Sequence, residues 1–117
     1  MLKDKQINYI ELPASDLYAI KTFYGTVFGW TFKDFGEEYA AFNDGTMYGG
    51  FYHADLKSSS QEGAALVVLY AEQLEDMLEQ VQTHGGTIVK EIFSFPGGRR
   101  FHFADPCGNE LAIWSEK

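Results

Sequence analysis

Arg100 and His102 stand two residues apart in Arg100-Phe101-His102-Phe103, an alternating segment that predicts a strand. Residues two apart on a strand share a face, so the guanidinium and the imidazole point the same way. They form a candidate anion-binding pair, or His102 acts as a general acid/base at a pocket. The competing reading, preferred from the pattern alone, is a strand side turned to solvent. Glu11, His53 and Glu110 fall near strand ends. All three can face one concavity, but polar side chains there usually meet water, so they are read as rim residues. His84 closes a predicted helix, where a cation is favourable. Cys107 lies in a turn with no partner in sequence and is not assigned a catalytic role. Gly97-Gly98-Arg99-Arg100 lacks the Walker pattern of a phosphate-cradling loop.

Two runs of elements must position these groups. Ile7 to Leu12 predicts a strand ended by Pro13. Ser15 or Asp16 is a good N-cap, and Leu17, Ile20, Tyr24 and Val27 form a helical stripe stopped at Gly29. Strands are predicted over 30–35, 39–42 and 46–53, the last two joined by an Asn43-Asp44-Gly45 hairpin turn. After a polar, Ser-rich stretch at about 56–63 the order recurs. A strand at 65–70 precedes a helix at 72–84 with Leu74, Met77, Leu78 and Val81 on one face. Strands follow at 87–93, 100–104 and 110–114.

An offset of 57 places Leu17 on Leu74 and Gly29 on Gly86; an offset of 63 places Gly45 on Gly108. The chain is thus read as one α+β domain over residues 1–117. It holds two βαβββ modules, about 5–55 and 64–117, forming a cupped, mostly antiparallel sheet.

The 117 residues suit one domain, and 45 % hydrophobic with 22 % charged content is globular. The net charge of -8 argues against nucleic acid and anionic membrane surfaces as partners. One cysteine allows no intrachain disulfide, and the first six residues lack a secretory apolar core. The longest apolar run, Ala64 to Ala71, is too short to span a bilayer. The expected location is the cytoplasm.

Glu11-Leu12-Pro13, Asp16-Leu17 and the run Phe23-Tyr24 through Phe28-Gly29-Trp30 resemble the first module of the vicinal oxygen chelate superfamily. Gly85-Gly86 and Asp105-Pro106-Cys107-Gly108-Asn109 resemble its second. That superfamily includes glyoxalase I, extradiol dioxygenases and the fosfomycin and bleomycin resistance proteins. The resemblance covers essentially the whole chain and implies a scaffold, not a chemistry.

It also implies metal ligands, His, Glu or Gln, at inward strand positions. Transferred to this chain, these fall on Tyr9, its repeat partner Leu66, Ala112 and its repeat partner Gly49. Leu, Ala and Gly cannot ligate, and a neutral phenol alone is a poor ligand. No metal site is expected, with a divalent metal kept as the alternative.

The expected function is binding of a small organic molecule in the concave face. Tyr9, Leu66, Val68, Tyr70, Ala112 and Trp114 line the cup, with Glu11 and Phe51 on the same faces. One alternative is a metal-dependent lyase or isomerase resembling glyoxalase I, with acid/base work by Glu11 or His102. The other is a drug-sequestering resistance protein. Aromatics on the strands exceed what one small core holds, so a homodimer is expected.

Overall fold

The computed structural model describes residues 2–117; Met1 lies outside them. Eight strands and two α-helices follow in the order β1 (Tyr9–Ala14), α1 (Leu17–Phe28), β2 (Thr31–Asp34), β3 (Tyr39–Asn43), β4 (Tyr48–His53), β5 (Val67–Tyr70), α2 (Leu74–Thr83), β6 (Thr87–Phe95), β7 (Gly98–Ala104) and β8 (Glu110–Ser115). They build two four-stranded sheets, β1-β4-β3-β2 and β5-β8-β7-β6. Each is one βαβββ module, and together they form the cupped sheet. Among the described residues no helix is long and apolar enough to cross a membrane.

The topology follows from the connections. The helix carries the chain from β1 to the far edge, and two tight turns bring it back as an antiparallel meander. β4 therefore arrives beside β1 running parallel to it, and β8 beside β5 likewise. Asp16 caps α1 by accepting the Ala19 N–H at 3.1 Å. Gly29 ends it at φ 74°, a left-handed conformation that glycine adopts without strain.

β1 continues through Pro13 to Ala14, where the sequence predicts a stop. It is an edge strand, so a residue without an N–H does not break the ladder. The Ser-rich stretch is docked on the second module. It forms a 3-10 turn over Ser60–Glu62, and Ser58 exchanges hydrogen bonds with Asn109 and Glu110.

The core lies between the helices and the sheets. Trp30 stacks between Tyr24 and Phe42, with ring centroids 4.7 and 4.4 Å away. Phe42, Phe51, Phe101 and Phe103 are buried there, and Phe32 packs against them. Most of the strand aromatics that the sequence reading left without a place thus belong to this core.

The strand register corrects two readings. Phe51, placed in the cup from sequence, is fully buried on the helix side, 5.3 Å from the Tyr24 ring. Gly49 faces the same way. A Cβ there would stand 2.2 Å from the Phe42 ring and 2.5 Å from the Ile10 carbonyl oxygen. Gly50 is the residue on the opposite face, so the repeat offset is one residue out at this strand. Gly49→Ala is expected to destabilise the fold by about 2 kcal/mol, because both ring and backbone must shift. Urea denaturation checks it.

Asp105 joins the modules. Its carboxylate accepts the Tyr24 hydroxyl from α1 at 2.9 Å, and the Cys107 and Asn109 backbone N–H groups at 2.9 and 3.0 Å. The Asn109 side chain donates to it at 3.1 Å and to the Pro13 carbonyl of β1 at 2.7 Å. The Asp-Pro-Cys-Gly-Asn turn is therefore a staple across both modules as well as a local turn.

Candidate functional site

In both sheets the face away from the helix carries the groups able to do chemistry. On the first sheet this face bears Tyr9 and Glu11 from β1, Tyr39, Ala41 and Asn43 from β3, and Tyr48 from β4. The Tyr39 hydroxyl donates to Glu11 at 2.8 Å and lies 2.6 Å from the Tyr9 hydroxyl. With its own proton given to Glu11, Tyr39 accepts from Tyr9, whose oxygen is left as an acceptor. Burial, then the hydrogen bonds with Tyr9 and Glu11, push the Tyr39 phenol well above its ordinary range. It therefore stays a neutral link. A Cβ on Gly50 would stand 1.9 Å from the Tyr39 hydroxyl, so glycine makes room for this chain of bonds.

Beside it opens a cavity of about 500 Å³, lined by Tyr9, Tyr48, Phe35, Lys33 and Asn43 among others. Tyr9, Phe35 and Tyr48 are exposed aromatics. The cavity offers an apolar wall, one ammonium, one amide and the Tyr9 oxygen, the pattern of a small-molecule site. Lys33, Tyr39, Asn43 and Tyr48 were not singled out in the sequence. Period-2 alternation from Tyr39 to Asn43 was the available signal.

On the second sheet the corresponding face bears Val68, Tyr70, Arg100, His102, Glu110, Ala112 and Trp114. His102 is 3 % exposed and its Nδ1 lies 2.8 Å from Glu110 Oε2. The other Glu110 oxygen accepts from the Ser60 backbone N–H and hydroxyl at 3.0 and 2.7 Å. Burial raises the Glu110 carboxyl, but the hydrogen bonds from His102 and Ser60 outweigh it and hold it down to about 2. Glu110 is thus ionised at neutral pH and accepts only, so His102 Nδ1 carries a proton. The structure overturns the solvent-facing reading of His102 and the rim reading of Glu110. The docked Ser60 turn and the Phe93 ring, 5.9 Å from the imidazole, adjoin the pair.

Arg100 lies over Phe93 and Phe95, 5.3 and 5.6 Å from the ring centroids, and Tyr70 meets Trp114 edge-on at 5.0 Å. Ala112 is the small residue between His102 and Val68.

The sequence-selected residues therefore divide. Tyr9 and Glu11 belong to the first face; Val68, Tyr70, His102, Ala112 and Trp114 belong to the second. Leu66 is half-buried just before β5, and Phe51 is in the core. His53 is at the exposed end of β4, 3.4 Å from Glu38. His84 caps α2 through its backbone, and Cys107 is buried with Sγ 3.6 Å from the Asp16 carbonyl.

The donor set fits a divalent metal poorly. The transferred ligand positions hold Tyr9, Leu66, Ala112 and, by register, Gly50, of which only the phenol has a donor atom. Among the described residues no three His, Cys, Asp or Glu side chains converge.

The family model of the Glyoxalase/Bleomycin resistance protein/Dioxygenase superfamily matches residues 6–113. No curated protein matches the chain significantly by sequence. Solved structures share its fold. A glyoxalase-related enzyme from Fulvimarina pelagi is 20% identical, with TM-score 0.78 over 95% of this chain and 88% of its own. The hypothetical protein SA1046 from S. aureus is 15% identical, with TM-score 0.75 over 97% and 99%. A variant of the fosfomycin resistance protein FosX from Listeria monocytogenes, complexed with Mn(II) and 1S,2S-dihydroxypropylphosphonic acid, is 13% identical, with TM-score 0.80 over 96% and 90%. At these identities the likeness concerns the fold alone.

Proposed function

The chain belongs to the Glyoxalase/Bleomycin resistance protein/Dioxygenase superfamily, and we propose that it binds a small organic molecule on its concave face without a metal ion. The observation that carries this reading is the cavity beside the Tyr9–Tyr39–Glu11 hydrogen-bond chain. Its aromatic wall excludes water from an apolar ligand. The Tyr9 oxygen accepts from a ligand donor, while Lys33 and Asn43 supply donors. Because Tyr39 and Glu11 hold the Tyr9 hydroxyl in place, the acceptor is oriented before the ligand arrives, which lowers the ordering cost of binding.

The test is a fragment screen followed by NMR with protein dialysed against EDTA. Fragments that bind are expected to shift the signals of Tyr9, Asn43 and Tyr48 equally before and after chelation. Tyr9→Phe, which removes the acceptor, is expected to weaken donor-bearing fragments about tenfold, one hydrogen bond's worth. Binding that appears only after adding Mn(II), Ni(II) or Zn(II) would overturn the metal-free reading.

The same reading includes pairing of two copies through the exposed Tyr9, Phe35 and Tyr48 side of the cup. Sedimentation equilibrium is expected to give twice the 13.2 kDa chain mass at micromolar concentration. A monomer at that concentration counts against the pairing and not against ligand binding.

A further inference from the structure

Two buried side-chain nitrogens, Arg100 Nε and His102 Nε2, have no hydrogen-bond partner among the described residues. They lie on the same face of β7, two residues apart, and flank the same Phe93 ring. Leaving polar groups buried and unpaired is costly, so such sites generally have a partner. The chain has 17 acidic residues. Lys21, His53, Arg99 and His102 each have a carboxylate from among them, but among the described residues Arg100 has none within ion-pair distance. Two aromatic rings hold its guanidinium instead.

We propose that Arg100 and His102 bind the carboxylate of a small organic acid whose flat, apolar body lies against Trp114, Tyr70 and Val68. This rests on the concave face being a ligand site and names the class of molecule for its second half. Arg100 is only partly buried and gives the carboxylate its way in from solvent. Its planar donor edge matches a carboxylate's two oxygens. His102 Nδ1 is committed to Glu110, so Nε2 donates to the carboxylate only in the imidazolium form. Arg100, the imidazolium and Glu110 together carry one positive charge, which a monoanion cancels and a dianion overshoots. The charged groups facing the imidazole are Glu110 from β8, Arg100 from β7 and Lys90 from β6; Lys90 is exposed, with its ammonium 5.9 Å from the Phe93 ring centroid. Tyr70 and Val68 are about 45 and 43 % exposed, an apolar surface open to the ligand body.

The experiment titrates the full chain, uniformly labelled with ¹⁵N, with benzoate, neutral benzamide and phenylphosphonate. Benzoate is expected to shift the His102 Nε2 signal to that of a nitrogen donating to a carboxylate, with neutral benzamide leaving it in place. Arg100→Met is expected to weaken benzoate at least tenfold with an unchanged backbone spectrum. Arg100→Lys, which keeps the charge but not the fork, is expected to restore part of the loss.

A His102 Nε2 signal that ignores saturating benzoate would overturn the proposal. So would benzamide binding as tightly as benzoate, phenylphosphonate binding more tightly, or an unweakened Arg100→Met. Benzoate that shifts only Tyr9 and Tyr48 would retain the ligand-binding reading and eliminate this one. Benzoate that shifts His102, with no fragment entering the first cavity, would do the reverse.

Discussion

Asp105→Ala is expected to lower the unfolding free energy by about 4 kcal/mol, measured by urea denaturation of the full chain. The substitution removes the acceptor for the Tyr24 hydroxyl, two backbone N–H groups and one Asn109 N–H. Tyr24 is fully buried, and burial first, then Asp105, raises its phenol well above the ordinary range, so its hydroxyl remains a donor needing a partner. Part of the loss is returned because Asp105 itself resists burial; desolvation raises its carboxyl despite four hydrogen bonds. Asp105→Asn keeps an acceptor for the two backbone groups and is expected to cost about half as much. The effect also reaches the site. Tyr24 belongs to the first module and Asp105 to the second, and Asn109 reaches from that turn to β1, the strand of Tyr9 and Glu11. Losing the staple should therefore loosen both concave faces relative to each other, seen as faster amide exchange in β1 and β8.

His102→Ala is expected to destabilise the protein by about 3 kcal/mol at neutral pH, since it leaves an ionised Glu110 buried with only Ser60 as partner. Glu110→Gln is expected to cost less, because the amide is neutral and still bonds the Ser60 turn. The pH dependence separates this pair from ordinary packing. Glu110 is held at about 2 in the folded state, against an ordinary value of 4.5. Its contribution is fully present above the ordinary value and is lost as pH falls through about 2. The wild-type chain should lose on the order of 3 kcal/mol across that window from this group, and Glu110→Gln should lose none of it. A wild-type and variant pair with parallel stability curves between pH 5 and 2 would contradict the assignment.

Much of this was legible from residue order. The helical stripe from Leu17 to Val27, the Asp16 cap and Gly29 specify α1 locally, because the cap and the left-handed terminus depend on the residues within one turn. The recurrence of those signals at Leu74 revealed two modules, and alternation around His102 identified the shared face of β7. The runs Phe23-Tyr24 through Phe28-Gly29-Trp30 and Asp105-Pro106-Cys107-Gly108-Asn109 carried the resemblance to its superfamily.

Tertiary structure alone decided what each strand face meets. Pairing register is a long-range property, and a one-residue slip exchanges the faces; that is why Phe51 and Gly49 proved to belong to the core and Gly50 to the concave side. Alternation shows that Arg100 and His102 point the same way but not whether water or protein lies there. The docking of Ser60 on Glu110, and of Glu110 on His102, buries a pair that looked solvent-facing, through contacts 50 and 8 residues apart in the chain. The Tyr9–Tyr39–Glu11 chain likewise spans 30 and 28 residues of sequence. Hydrogen bonds of that kind depend on where the strands are brought together, and no local pattern encodes the distance between them.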